Sequence, residues 1–118
     1  VSVEEAWVRR PPPGSGMTAG YGRVINRTGQ ALVITGAKAD GFGLAEFHRT
    51  EIVDGVARMR EIEALTIDAG ETLNLEPGGL HLMLMRAERD PGDIVRIELH
   101  VRGGATIVFE APVREPGE

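Results

Sequence analysis

A chain of 118 residues is long enough for one domain and too short for two, and at 42% apolar residues it can bury a core without covalent staples. Its net charge of −5, scattered basic residues and 4% aromatic content argue against nucleic acid and anionic membrane surfaces as partners. With no cysteine, disulfides, zinc–thiolate sites and thiol catalysis are excluded.

The sixteen glycines and seven prolines lie between short apolar runs, a pattern that predicts an all-β domain with frequent turns. Alternation and turn residues predict about eight or nine strands of roughly five or six residues each. Residues 1–9 alternate and stop at Pro11-Pro12-Pro13-Gly14. Residues 17–26 follow, closed by Asn26-Arg27-Thr28-Gly29, and then residues 31–39. A looser stretch around Gly41-Phe42-Gly43 leads into residues 44–53, and Asp54-Gly55 is a hairpin signal joining these to residues 56–62. Residues 65–68 and 72–75 flank a turn at Ala69-Gly70. Pro77-Gly78-Gly79 introduces residues 80–87, Asp90-Pro91-Gly92-Asp93 separates these from 94–102, and Gly103-Gly104 sets up 105–113.

No helical stripe exceeds two turns, there is no internal repeat, and no run approaches a membrane span. No signal peptide is expected within the chain, and its start at Val1 rather than Met fits a processed or trimmed product. The expectation is a single domain over residues 1–118, folded as a Greek-key β-sandwich or barrel.

Chemistry concentrates in Leu80-His81-Leu82-Met83-Leu84-Met85. In a strand, alternate residues face opposite sides, so the three leucines share one face and His81, Met83 and Met85 the other. If that second face were core, Met would be gap filler and His81 a core histidine; if it were solvated, Met would be out of place. His48 and Met59 occupy the two arms of the hairpin that turns at Asp54-Gly55. His48 shares a face with Glu46 and Thr50, and Met59 lies between Arg58 and Arg60, where a core methionine is not expected. Thioethers are soft, uncharged ligands that favour Cu(I), and imidazole adds a stronger donor. A Cys-free Met/His set is suited to copper outside the cytoplasm, where thiols are lost to oxidation.

The spacing is His48, ten residues, Met59, twenty-one residues, His81, one residue, Met83. This resembles the H-x10-M-x21-H-x-M signature of the PCu(A)C-type periplasmic copper chaperones. The block Leu75-Glu76-Pro77-Gly78-Gly79-Leu80-His81-Leu82-Met83-Leu84-Met85, the hairpin arm from Asp54 to Arg60 and the start Ala6-Trp7-Val8-Arg9 resemble it too. The resemblance implies a cupredoxin-like sandwich with one Cu(I) bound by His48, Met59, His81 and Met83, and no enzymatic activity. It also implies a periplasmic location and copper delivery toward the dinuclear copper centre of a terminal cytochrome oxidase, directly or through a Sco-type thiol protein. Two departures stand out. Arg49 follows the first histidine where many relatives carry Met or Glu, and residues 112–118 lack the Met and His of some relatives' copper-holding tails.

Two other readings remain, a copper buffer without an acceptor and a structural sandwich with accidental spacing. The four ligands are expected to converge at one end of the sandwich. His100 is expected to face outward, and Met17 and Met85 to pack, with capping of the metal as outer-sphere or substitute ligands as the alternative for both.

Overall fold

The computed structural model describes residues 1–115, so the last three residues of the 112–118 tail lie outside the described residues. Ten strands form: β1 (Ser2–Arg9), β2 (Thr18–Ile25), β3 (Leu32–Ala39), β4 (Phe42–Val53), β5 (Val56–Ile62), β6 (Leu65–Ile67), β7 (Thr72–Leu75), β8 (Leu80–Ala87), β9 (Ile94–Val101) and β10 (Thr106–Arg114). One layer runs β5-β4-β8-β2-β1, with β7 pairing the second half of β2; the other runs β10-β9-β3-β6. Parallel pairing of β1 with β10, Val8 opposite Val113 and Arg9 opposite Arg114, joins the two layers. The all-β expectation holds.

Alternation sets the core. Leu80, Leu82 and Leu84 of β8 are buried together with Phe47 of β4, Val24 of β2, and Val95, Ile97 and Leu99 of β9. Each such side chain contributes about 1.5–3 kcal/mol on burial.

Two segments differ from the sequence reading. Strand β4 begins at Phe42 rather than at residue 44, with Gly41 in the turn before it: Phe42 is 6% exposed and pairs with Ala87 of β8. Ten strands form where about eight or nine were expected, and β6 and β7, which flank the Ala69-Gly70 turn, do not form a hairpin. β6 pairs with β3 and β7 with β2, so the turn at Ala69-Gly70 carries the chain from one layer to the other.

The alternation of β1 is also interrupted. Glu4 opposes Arg23 and Trp7 opposes Tyr21, so three steps on β1 match two on β2, and Glu5 adopts φ 56°. This bulge inserts one residue and reverses which side chains face inward. Val3 meets Val24 in the core, but past the bulge Val8 takes the inward position opposite Gly20. Trp7 and Arg9, which continuous alternation would place on the side of Val3, are turned outward. Gly22 permits the close approach: a β-carbon there would lie 3.0 Å from the Ala6 Cα.

The layer crossing is fastened by Asn26, a fully buried polar residue that the sequence reading treated as turn punctuation. Its Nδ2 donates to the carbonyls of Ile67 and Gln30, both at 2.8 Å, and to that of Asp68 at 3.2 Å. Its Oδ1 accepts from the amide and hydroxyl of Thr28. The Asn26 amide donates to the Glu71 carbonyl, and Gly70 donates to the Asn26 carbonyl. Removing this amide strands buried carbonyls, so Asn26→Ala is expected to lower unfolding free energy by about 1–3 kcal/mol. Urea denaturation measures it; an unchanged midpoint would show that the crossing does not depend on this side chain.

Candidate metal centre

Antiparallel pairing of β4 with β8 sets His48 directly opposite His81, with ring centroids 6.2 Å apart. Two residues along β8, Met83 lies between Glu46 of β4 and Ala19 of β2. On β5, Met59 opposes Thr50 and Glu61 opposes His48. His48, Met59, His81 and Met83 therefore share the outward face of the larger layer, opposite the face that Leu80, Leu82 and Leu84 turn to the core.

Each imidazole has one nitrogen engaged. His81 Nδ1 lies 3.1 Å from the carbonyl oxygen of Gly79. A carbonyl only accepts, so Nδ1 carries the proton and Nε2 keeps its lone pair. His48 Nε2 lies 3.2 Å from Glu46 Oε1, which leaves Nδ1 as the free acceptor. A hydrogen bond of this kind fixes tautomer and ring orientation in metal-binding histidines. Behind Glu46 stands Glu61, whose carboxyl is held above its ordinary pKa, first by its hydrogen bond with Glu46 and then by repulsion from that charge.

Met59, His81 and Met83 line one cavity of about 420 Å³, with Arg9 and Tyr21 among its walls. The loops between β1 and β2 and between β7 and β8 supply Pro12, Ser15, Pro77 and Gly78 to its rim. His48 does not line the cavity itself but stands beside His81. Exposure is graded: His81 is 4% exposed, Met83 half-buried and Met59 58% exposed. Among the described residues no three or more His, Cys, Asp or Glu side chains are arranged to hold a metal. A metal in this cavity would therefore need thioether donors, which suits a soft ion.

Met17 is a correction to the sequence reading. It does not pack: it is 45% exposed and lines the same cavity. Ser15 bends the loop around it, its hydroxyl donating to the Met17 carbonyl and accepting from the Met17 amide. The alternative role at the metal, not packing, is the one its position allows, and that position depends on how a Pro-rich loop folds back over the sheet. Met85 does pack, half-buried opposite Leu44. His100 is on the outward face of β9 as expected, half-buried between Gly36 of β3 and Thr106 of β10, and it lies away from this cavity.

The family model described as "Putative lipoprotein LpqE-like" matches residues 1–113. The chain belongs to the LpqE-like family. A relative from Leifsonia xyli subsp. xyli, named "Putative lipoprotein Lxx21020", is 35% identical over 98% of this chain and 70% of its own length. The solution structure of CuI-DR1885 from Deinococcus radiodurans superposes with TM-score 0.76 at 31% identity, covering 100% of this chain and 82% of that one. The apo PCuAC domain from PmoF1 matches with TM-score 0.78 at 21% identity, covering 97% and 92%. The fold of this LpqE-like chain is thus the cupredoxin-like β fold of PCuAC domains, as the family resemblance implied.

The tautomers are directly measurable. Long-range ¹H–¹⁵N correlation spectra of the metal-free protein near neutral pH should show His81 as the Nδ1–H form and His48 as the Nε2–H form. Glu46→Gln should leave His81 unchanged and shift His48 toward a mixture. A His81 protonated on Nε2 would contradict the hydrogen-bond arrangement.

Proposed function

We propose that this chain is a copper-binding chaperone that holds Cu(I) on His48, Met59, His81 and Met83, with Met17 as an additional thioether. The observation that carries the reading is one cavity lined by three thioethers and a buried imidazole with a free nitrogen, and by no carboxylate among the described residues. Neutral soft donors of this kind match a monovalent soft ion and leave little for Zn(II) or Mg(II) to bind. The 31% identical CuI-DR1885 structure supports the same ion.

Met17 takes the role of the ligand that Arg49 does not supply after the first histidine. His81 anchors the ion from beneath, while Met59 and Met17 stand where an incoming donor would replace them. An exposed, exchangeable half of the ligand set is what transfer requires and a storage site does not. In this reading the protein is not an enzyme. It works outside the cytoplasm, in the periplasm or an equivalent space, which the lipoprotein name of its Leifsonia relative supports. No helix among the described residues is long and apolar enough to cross a membrane. Its copper goes to the dinuclear copper centre of a terminal cytochrome oxidase, directly or through a Sco-type thiol protein.

Chelator competition tests the site. His81→Ala should weaken Cu(I) binding at least about tenfold to a hundredfold, the range reached even when metal-site supporting residues are removed. Met59→Ala should weaken it, Met17→Leu should cost about tenfold, or 1.4 kcal/mol, and His100→Ala should change nothing. Zn(II) binding as tight as Cu(I) would overturn the assignment. Transfer is tested separately, by mixing the loaded protein with a Sco-type protein and with the soluble copper-bearing oxidase domain; retention of copper against both would leave a buffer.

Acidity provides an independent check. Imidazole binds metal only when neutral, whereas thioethers do not titrate. Cu(I) affinity should be flat at alkaline pH and fall on acidification, with a limiting slope of two protons if both histidines bind and one if His48 only supports. His81→Ala should remove one proton from that slope. A wild-type affinity independent of pH throughout the imidazole range would leave a methionine-only site.

A further inference from the structure

Arg9 has no part in the ligand set, yet it lines the same cavity. Its guanidinium carbon lies 5.6 Å from the Tyr21 ring centre and 5.9 Å from that of Trp7, and those two ring centres lie 4.7 Å apart with their planes tilted by 39°. A guanidinium at such distances is held by the ring faces, which fixes its position without neutralising its charge. Its Nε is buried and has no hydrogen-bond partner among the described residues. Native proteins rarely leave such a donor unpaired, and an orphan beside a cavity points to a ligand that would accept from it. Arg9 faces this way because of the bulge at Glu5, which turns Trp7 and Arg9 outward together.

The charge balance points the same way. No aspartate or glutamate among the described residues lines the cavity. Its donors are neutral, so Cu(I) bound there would add one positive charge beside Arg9 with no anion on the cavity wall to offset either, the Glu46 carboxylate standing behind His48. The volume of about 420 Å³ is also far more than one ion bonded to side chains occupies. It corresponds to the lower part of the range for small-molecule sites.

We propose that the cavity accepts a thiolate together with Cu(I), the sulfur bonding to the metal while its negative charge is held by Arg9. The inference rests on the copper reading above. A thiolate satisfies both demands at once: it is soft enough for Cu(I), and it brings the anion that the cavity lacks. Charge-assisted donation from a guanidinium is among the stronger hydrogen bonds available to it. The exchange is redox-neutral. A sulfur–copper bond forms, the thiol proton goes to solvent, and an exposed thioether, Met59 or Met17, leaves the metal. Arg9 thus acts as a positioning residue for the incoming donor.

The probe is N-acetylcysteinamide, titrated into the Cu(I)-loaded protein and compared with N-acetylmethioninamide. Trp7, the single tryptophan, reports from beside Arg9 by fluorescence, and thiolate-to-copper absorption reports the bond. A Cu(I) titration without thiol comes first; failure there strikes the copper reading. With Cu(I) bound, wild type should take up the thiol with release of one proton, and the thioether far less well. Arg9→Gln should weaken thiol uptake about tenfold and leave thiol-free Cu(I) affinity undiminished, with Arg9→Lys between the two. Equal uptake by Arg9→Gln and wild type, or thiol uptake without proton release, would overturn the proposal. The proton measurement needs only wild-type protein, so it decides even if Arg9→Gln does not fold.

Discussion

The register between β4 and β8 is the constraint on which the site depends. His48 opposes His81, and Phe47 opposes Leu82, in the same antiparallel ladder. The core contact and the histidine pair are therefore one fact seen from two faces. Slipping β4 by one residue would put Phe47 outside and His48 among the leucines, at a cost of several kcal/mol in lost apolar burial and unpaired imidazole. The burial of Leu80, Leu82 and Leu84 thus places the imidazoles without any metal to template them, and the β4–β5 hairpin brings Met59 onto the same face.

Rigidity in this centre is unevenly distributed. His81 sits on a central strand, buried, with its ring fixed by the Gly79 carbonyl. Met59 is carried by β5, the edge strand of its layer, and Met17 by a loop. Long unbranched thioethers at exposed positions retain rotamer freedom that a packed methionine would lose. A firm imidazole beneath adaptable sulfurs favours replacement of one ligand at a time. The acidic pair Glu46–Glu61 lies behind His48 and not on the cavity wall, so it orients a donor without contributing a hard ligand.

Period-two alternation made much of this legible in the sequence. The leucines of residues 80–85 had to face the core, so His81 and Met83 had to face away, and Asp54-Gly55 fixed the hairpin that carries His48 and Met59. What stayed hidden was whatever broke periodicity or depended on chain folding at long range. The extra residue at Glu5 leaves no mark in composition, yet it decides that Arg9 faces the cavity. Asn26 reads as a turn residue, although its amide ties together segments some forty positions apart. Ala69-Gly70 has the chemistry of a hairpin turn, but local sequence does not say whether the flanking strands pair with each other or with strands of opposite layers.

The parallel pairing of β1 with β10 has a consequence for how the domain can be tethered. Both strands run toward the same end, where Arg9 and Arg114 are neighbours and Arg10 bonds to Glu115. That end carries Arg9 and Pro12 of the cavity wall. Val1 lies at the opposite end of β1, roughly 25 Å away at the rise of an extended strand. A linker, affinity tag or surface attachment joined ahead of Val1 therefore leaves the cavity pointing outward and open to visiting molecules. The Arg114 end of β10 shares its end of the sheet with Arg9 of the cavity wall, so bulk attached on that side stands nearer the opening. In a fusion or immobilised form, attachment ahead of Val1 keeps the support at the far end of β1 from Arg9.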